Sequence, residues 1–283
     1  MPKLFRAFRD VFLISITTLA ALEIALALID PFGMAFFAKV DWLDQYLGRA
    51  NGSYSLSPGT YDMNGWRVSM NETPTRIVPE SGTGCTVLFT GDSVTWGWGV
   101  NDGETFANLI ATELGVNAIN AAVFGYSSED VAASLQYFND YDLAVYLIFP
   151  NDHHYTWDIT AALQPPASHT FPGFGLLHGG TPAAVWYSLY LMTQSTQGQS
   201  TEYWDRFYAA MDAISAHDNV LIFGFDEPVA RQASERYDVH LIDWYSTSIS
   251  RVDSHPDLAG HQQIADAMLP AIRERLGEVC AVQ

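Results

Sequence analysis

The chain has 283 residues and a formal net charge of −19 at neutral pH, with 13 Lys and Arg against 32 Asp and Glu. Lysine occurs only at Lys3 and Lys39, and this balance excludes a nucleic-acid partner, because phosphate-backbone binding draws its affinity from clustered cations. With the first thirty-odd residues set aside, about 250 remain, which suits one α/β domain with trimmings better than two independent cores.

The first expected element is an apolar helix. VFLISITTLAALEIALALI, Val11 to Ile29, follows Lys3, Arg6 and Arg9. This reads as a single-pass transmembrane anchor with a cytoplasmic N-terminus and an extracytoplasmic remainder, periplasmic or at the cell surface. ALA at 25–27 keeps a cleavable signal peptide open as the rival. The length of the apolar stretch favours the anchor. Glu23 is costly in lipid, and is either a tolerated polar residue or a contact for a membrane protein partner. The expected organisation is a stub and anchor over 1–31, a connector packed on the domain over 32–80, and the functional domain over 81–283.

The connector is rich in Gly, Ser, Asn and Pro with scattered aromatics and has no sustained period; NGWR at 64–67 reads as a tight turn with Trp66 packed down. From Cys85 the pattern changes. Apolar runs at 85–90, 116–123, 143–149, 219–225 and 239–243 predict strands, and helical stretches fall at 104–114, 128–138, 201–216, 228–237 and 258–276. Fully apolar strands separated by helices indicate a parallel sheet covered on both faces, so the expected fold is a three-layer α/β/α sandwich on a five-stranded parallel sheet. The long segment 152–200, with a short helix expected near 181–192, reads as a site-shaping insertion whose aromatics, Tyr155 and Trp157 among them, either line a groove or pack. Cys85 begins the first core strand and Cys280 ends the last helix. A disulfide staple and two reduced thiols are both open at this point.

Ligands of open parallel sheets bind outside the carboxyl ends of the strands. Four strand ends present polar residues there: Gly91-Asp92-Ser93, the FGYSS turn with Gly125, FPND with Asn151 and Asp152, and Asp253 with His255 ahead of the last helix. These four blocks, in this order, resemble those of the SGNH hydrolases, also called the GDSL esterase/lipase family. The resemblance covers about 200 residues, and the conjunction of blocks carries it rather than Gly-Asp-Ser alone. It implies a flavodoxin-like sandwich, a Ser93 nucleophile, and an oxyanion hole made of the Ser93 and Gly125 backbone N–H groups and the Asn151 amide. The residue chemistry agrees. A serine hydroxyl needs a base within hydrogen-bond reach, for which His255 is the candidate, and Asp253 is the candidate to orient the imidazole.

Many members of that family place the acid three residues before the histidine; here that position is Val252, and Asp253 stands two before. If Asp253 points away, a Ser-His dyad is the fallback. Trp96 and Trp98 are candidates for a substrate-facing aromatic wall, with packing the safer reading for one of them, and Asp152 is a candidate substrate contact or loop-fixing carboxylate. His153 and His154 are adjacent and lack metal-ligand spacing, His261 is expected to cap or pack, and Asp92 to fix its loop. No metal or organic cofactor is implied. The expected activity is ester hydrolysis, with an acetyl or short-chain ester on a cell-envelope glycan or lipid as the substrate class. An O-acyltransferase using the same residues and a non-catalytic accessory subunit of a membrane complex are the alternatives.

Overall fold

The computed structural model describes residues 2–29, 46–48, 54–63, 65–73, 75–79, 82, 84–153, 201–244, 247–250 and 255–280. The chain divides into two compact units, one of residues 1–41 and 164–196, the other of 42–163 and 197–283.

Of the first unit the described part is α1, Pro2–Ile29. Phe8, Val11, Phe12, Ile14 and Leu19 expose their side chains along it. Among the described residues, no helix is long and apolar enough to cross a membrane. The anchor expected over Val11–Ile29 is therefore present as a helix without being shown as a span. Within it Thr17 turns its hydroxyl back to the carbonyls of Leu13 and Ile14. The side chain of Glu23, the expected partner contact, lies outside the described residues.

In the second unit the chain first forms two antiparallel hairpins, β1 (Tyr46–Gly48) with β2 (Tyr54–Leu56) and β3 (Gly59–Asp62) with β4 (Arg67–Met70). The segment read as an unpatterned connector thus holds strands, which are short and do not alternate cleanly. The expected turn at 64–67 closes the second hairpin, with Met63 N–H donating to the Trp66 carbonyl at 2.8 Å.

The sheet follows: β5 (Thr86–Gly91), β6 (Asn117–Asn120), β7 (Leu143–Ile148), β8 (Val220–Phe225) and β9 (Val239–Ile242). All neighbours are parallel, in the order β6-β5-β7-β8-β9. The helices are α2 (Ser93–Trp96), α3 (Phe106–Leu114), α4 (Ser128–Tyr137), α5 (Thr201–Ser215), α6 (Pro228–Ser234) and α7 (Leu258–Val279). Alternate strand residues face opposite layers. Val87, Phe89, Val145 and Phe223 pack with Phe106 and Ile110 of α3 and Ile264 and Met268 of α7. Leu88, Ala144, Tyr146 and Ile222 pack with Val131 of α4, Phe207 and Met211 of α5 and Ala233 of α6. Burial of each large side chain contributes roughly 1.5–3 kcal/mol, so both faces of every inner strand hold the sandwich together.

Cys85 and Cys280 form a disulfide across 195 residues of sequence, with their Cα atoms 6.2 Å apart. It ties the end of α7 to the start of β5. Among the described residues the group with metal-ligand geometry is Cys85, Asp142 and Cys280. Its two thiols are already joined. The helix expected near 181–192 and the aromatics of that segment fall outside the described residues.

Candidate active site

The strand order reverses at β5, whose following crossover leads to β6 on one side while β7 lies on the other. Such a switch point leaves a crevice at the carboxyl ends of the two central strands. Ser93 stands at the end of β5 and Asn151 just beyond β7. β5 terminates because Gly91-Asp92 turns directly into α2. Asp92 caps that helix, its Oδ1 accepting from Val94 N–H at 2.9 Å. Gly97 closes the turn with φ 92°, where an added Cβ would stand 2.4 Å from Thr105 Cγ2 and 2.6 Å from the Arg76 guanidinium.

The Ser93 hydroxyl lies 2.9 Å from His255 Nε2. These two residues are 162 positions apart, and the described residues on either side of His255 are tied down. Ser250 N–H donates to the His255 carbonyl at 2.7 Å, and Asp257 caps α7 through Gly260 N–H at 2.9 Å. Ser93 also lies 3.2 Å from Asp92 Oδ2, to which its hydroxyl can donate. The Trp98 ring sits 5.7 Å from that of His255, tilted by 32°.

Gly125 occupies the loop after β6 with φ 79°, in the left-handed region that favours glycine. Asn151 is exposed in the turn after β7. Asp253 lies outside the described residues. Ser93, at the start of α2, and Gly125, Asn151 and His255, in turns and loops, thus all follow the carboxyl ends of strands.

Three further expectations concerned substrate contact. Trp96 is fully enclosed and Trp98 nearly so, at 6 % exposure. Together with Trp66 and Phe124 they form an aromatic cluster with centroid separations of 5.0–6.1 Å. With no surface left to a ligand, packing is the role that the surroundings of Trp96 support. Asp152 is also fully buried: its Oδ2 accepts from Tyr146 OH at 2.7 Å and Phe149 N–H at 3.1 Å. Its environment supports the loop-fixing reading. Burial, with Asp92 adding to it, pushes its carboxyl well above the usual range and so favours the neutral acid.

Asp92 is held up to about 6 by burial, opposed by the Val94 N–H, the charge of a protonated His255 and the Ser93 hydroxyl. His261, wholly buried, stacks on Phe106 at 5.8 Å and accepts its backbone N–H at Nδ1, 3.2 Å away. Burial and the neighbouring Arg76 charge push it down to about 3, so it packs as a neutral ring. His153 stacks on Trp204 at 4.9 Å.

One residue that the sequence does not advertise supports the whole loop after Ser93. Arg76 is completely buried and donates to Asp102 Oδ1 at 3.1 Å and to the carbonyls of Trp96, Gly97 and Val100 at 2.6–2.7 Å. Burial lowers it to about 10, with Asp102 opposing. One arginine of three in a stretch without a period carries no signal that its charge is buried under a neighbouring turn.

No family model and no curated protein matches the chain. Among solved structures, a carbohydrate acetylesterase family member from Sinorhizobium meliloti is 16% identical, covering 68% of this chain and 99% of that one, with a TM-score of 0.41. A carbohydrate esterase family 2 enzyme from Corynascus thermopiles is 14% identical over 72% of this chain and 70% of that one, TM-score 0.42. A putative arylesterase from Agrobacterium tumefaciens is 16% identical over 68% and 100%, TM-score 0.41. At scores this low the likenesses decide neither substrate nor mechanism.

Proposed function

We propose that the chain is a serine esterase of the SGNH type that cleaves an acyl ester, acetyl or short-chain, on a cell-envelope glycan or lipid. The observation that carries the reading is the 2.9 Å contact between Ser93 Oγ and His255 Nε2 at the carboxyl edge of a parallel sheet. Ser93 Oγ attacks the ester carbonyl while Nε2 takes the hydroxyl proton. The oxyanion is received by the backbone N–H groups of Ser93 and Gly125 and by the Asn151 amide, a task worth roughly 100- to 1,000-fold in rate for each donor. The tetrahedral intermediate collapses as His255 returns the proton to the leaving alcohol, leaving acyl-Ser93. A water molecule, deprotonated by His255, then attacks the acyl carbon and releases the acid and free Ser93. Asp253 is assigned to the second imidazole nitrogen on the strength of the sequence.

The extracytoplasmic part of the reading is supported by the Cys85–Cys280 disulfide, since such bonds persist in oxidising compartments. The exposed apolar side chains of α1, with Arg6 and Arg9 ahead of them, support contact with a membrane. Hydrolysis of p-nitrophenyl acetate by the full chain tests the reading. Activity in the wild type that is absent in an equally folded Ser93→Ala supports it, and equal rates in both overturn it.

A further inference from the structure

The nucleophile has two hydrogen-bond acceptors within reach and only one proton to give. Ser93 Oγ lies 2.9 Å from His255 Nε2 and 3.2 Å from Asp92 Oδ2. When Nε2 is unprotonated, the hydroxyl donates to it, and the proton is placed for transfer. When Nε2 carries a proton it donates to Oγ, and the hydroxyl is left to donate to Asp92. We propose, resting on the esterase reading, that Asp92 is a positioning residue that competes with His255 for the Ser93 proton and parks the nucleophile whenever His255 is protonated.

The placement suits that task. Asp92 is 1 % exposed, so its carboxylate is little screened by water. Its Oδ1 is engaged by Val94 N–H, which fixes the carboxyl plane and leaves Oδ2 for Ser93. The charged and titratable groups facing it are His255, Asp152 and Tyr146. Asp152 favours its neutral form, and Tyr146, itself pushed well up by burial and by Asp152, stays a neutral phenol bonded to Asp152. Of the two, Asp92 is the one beside His255, whose charge favours its ionised form. An ionised Asp92 at this distance holds the serine hydroxyl turned toward its Oδ2 and away from attack. The same charge disfavours negative charge building on Oγ during attack.

Asp92→Asn removes the charge and keeps an amide oxygen for Val94 N–H. The test has two readouts on the full chain: the pH dependence of kcat/KM on p-nitrophenyl acetate, and the NMR titration of the His255 ring, which needs no substrate. The expected result is that the acid limb and the ring titration move together to lower pH. A rate lowered equally at every pH, with the titration unmoved, would mean that Asp92 only caps α2 and would overturn the proposal. If Asp92→Asn does not fold, Asp92→Ser, whose hydroxyl still accepts from Val94 N–H as a helix cap, takes its place with the same two readouts and the same two outcomes. Absent hydrolysis in the wild type would sink the esterase reading alone, because the ring titration still decides the role of Asp92.

Discussion

Replacing Arg76 by methionine keeps much of its buried volume and removes every side-chain hydrogen bond that it makes, leaving its backbone N–H on the Asn120 carbonyl at 2.9 Å. Four acceptors lose the guanidinium: the Asp102 carboxylate and the carbonyls of Trp96, Gly97 and Val100, of which Gly97 keeps the Val100 N–H at 3.4 Å and Trp96 the Asn120 amide at 3.5 Å. Asp102 keeps Ser69 N–H at 3.0 Å but is left as a largely buried charge without its cation. Breaking a buried pair in this way costs about 3–5 kcal/mol, and a carbonyl left unsatisfied adds up to ~1–3 kcal/mol unless water or its remaining donor serves it. Against this stands the cost of burying the guanidinium itself, visible in its lowered pKa. The net loss expected is ~3–5 kcal/mol, or a fall in melting temperature of roughly 6–20 °C for a domain of this size. Thermal and urea unfolding of the full chain with its disulfide intact would measure it. Adding Asp102→Asn to Arg76→Met should recover part of the loss. A change below about 1 kcal/mol for Arg76→Met would contradict the clamp role, because burial and bonding would then cancel.

Two other outcomes are expected of the site. His261 has a folded-state pKa of about 3 against an ordinary 6.5, so between these values the unfolded chain binds the proton and the folded one does not. Its contribution to stability is full above pH 6.5 and is lost as the pH falls toward 3, at up to about 1.4 kcal/mol per pH unit. Asp92 and Asp130, both raised to about 6 by burial, act in the opposite sense. The informative quantity is therefore the unfolding free energy of wild type minus that of His261→Gln, which should shrink on acidification and would contradict the assignment by staying flat. Asn151→Ala should lower kcat on p-nitrophenyl acetate by roughly 100- to 1,000-fold with little change in KM; a change confined to KM would assign Asn151 to substrate binding.

The sheet was legible because its inner strands are buried on both faces, so Val87 to Phe89 and Leu143 to Ile148 read as unbroken apolar runs. Helix ends were legible where a cap marks them, as at Asp257 and Gly115. The hairpins of residues 46–70 were not, because three- and four-residue strands give too few alternations to register. At the site, 162 residues separate Ser93 from His255, so their pairing came from the resemblance of the four blocks together with the rule that ligands gather at carboxyl strand ends. The Trp66 to Trp98 packing and the Arg76 clamp depend on a hairpin folding back over the Ser93 loop. No local pattern encodes that return.

Whether Ser93 is a nucleophile activated by His255 is decided most simply by active-site trapping. The full chain would be incubated with an alkyl fluorophosphonate and studied by intact mass and peptide mapping. The expected product is a single phosphonyl adduct on the Ser93 peptide, absent in Ser93→Ala and much slower to form in His255→Gln. An unmodified wild-type chain, or an adduct that persists in Ser93→Ala, would show that Ser93 does not carry the chemistry.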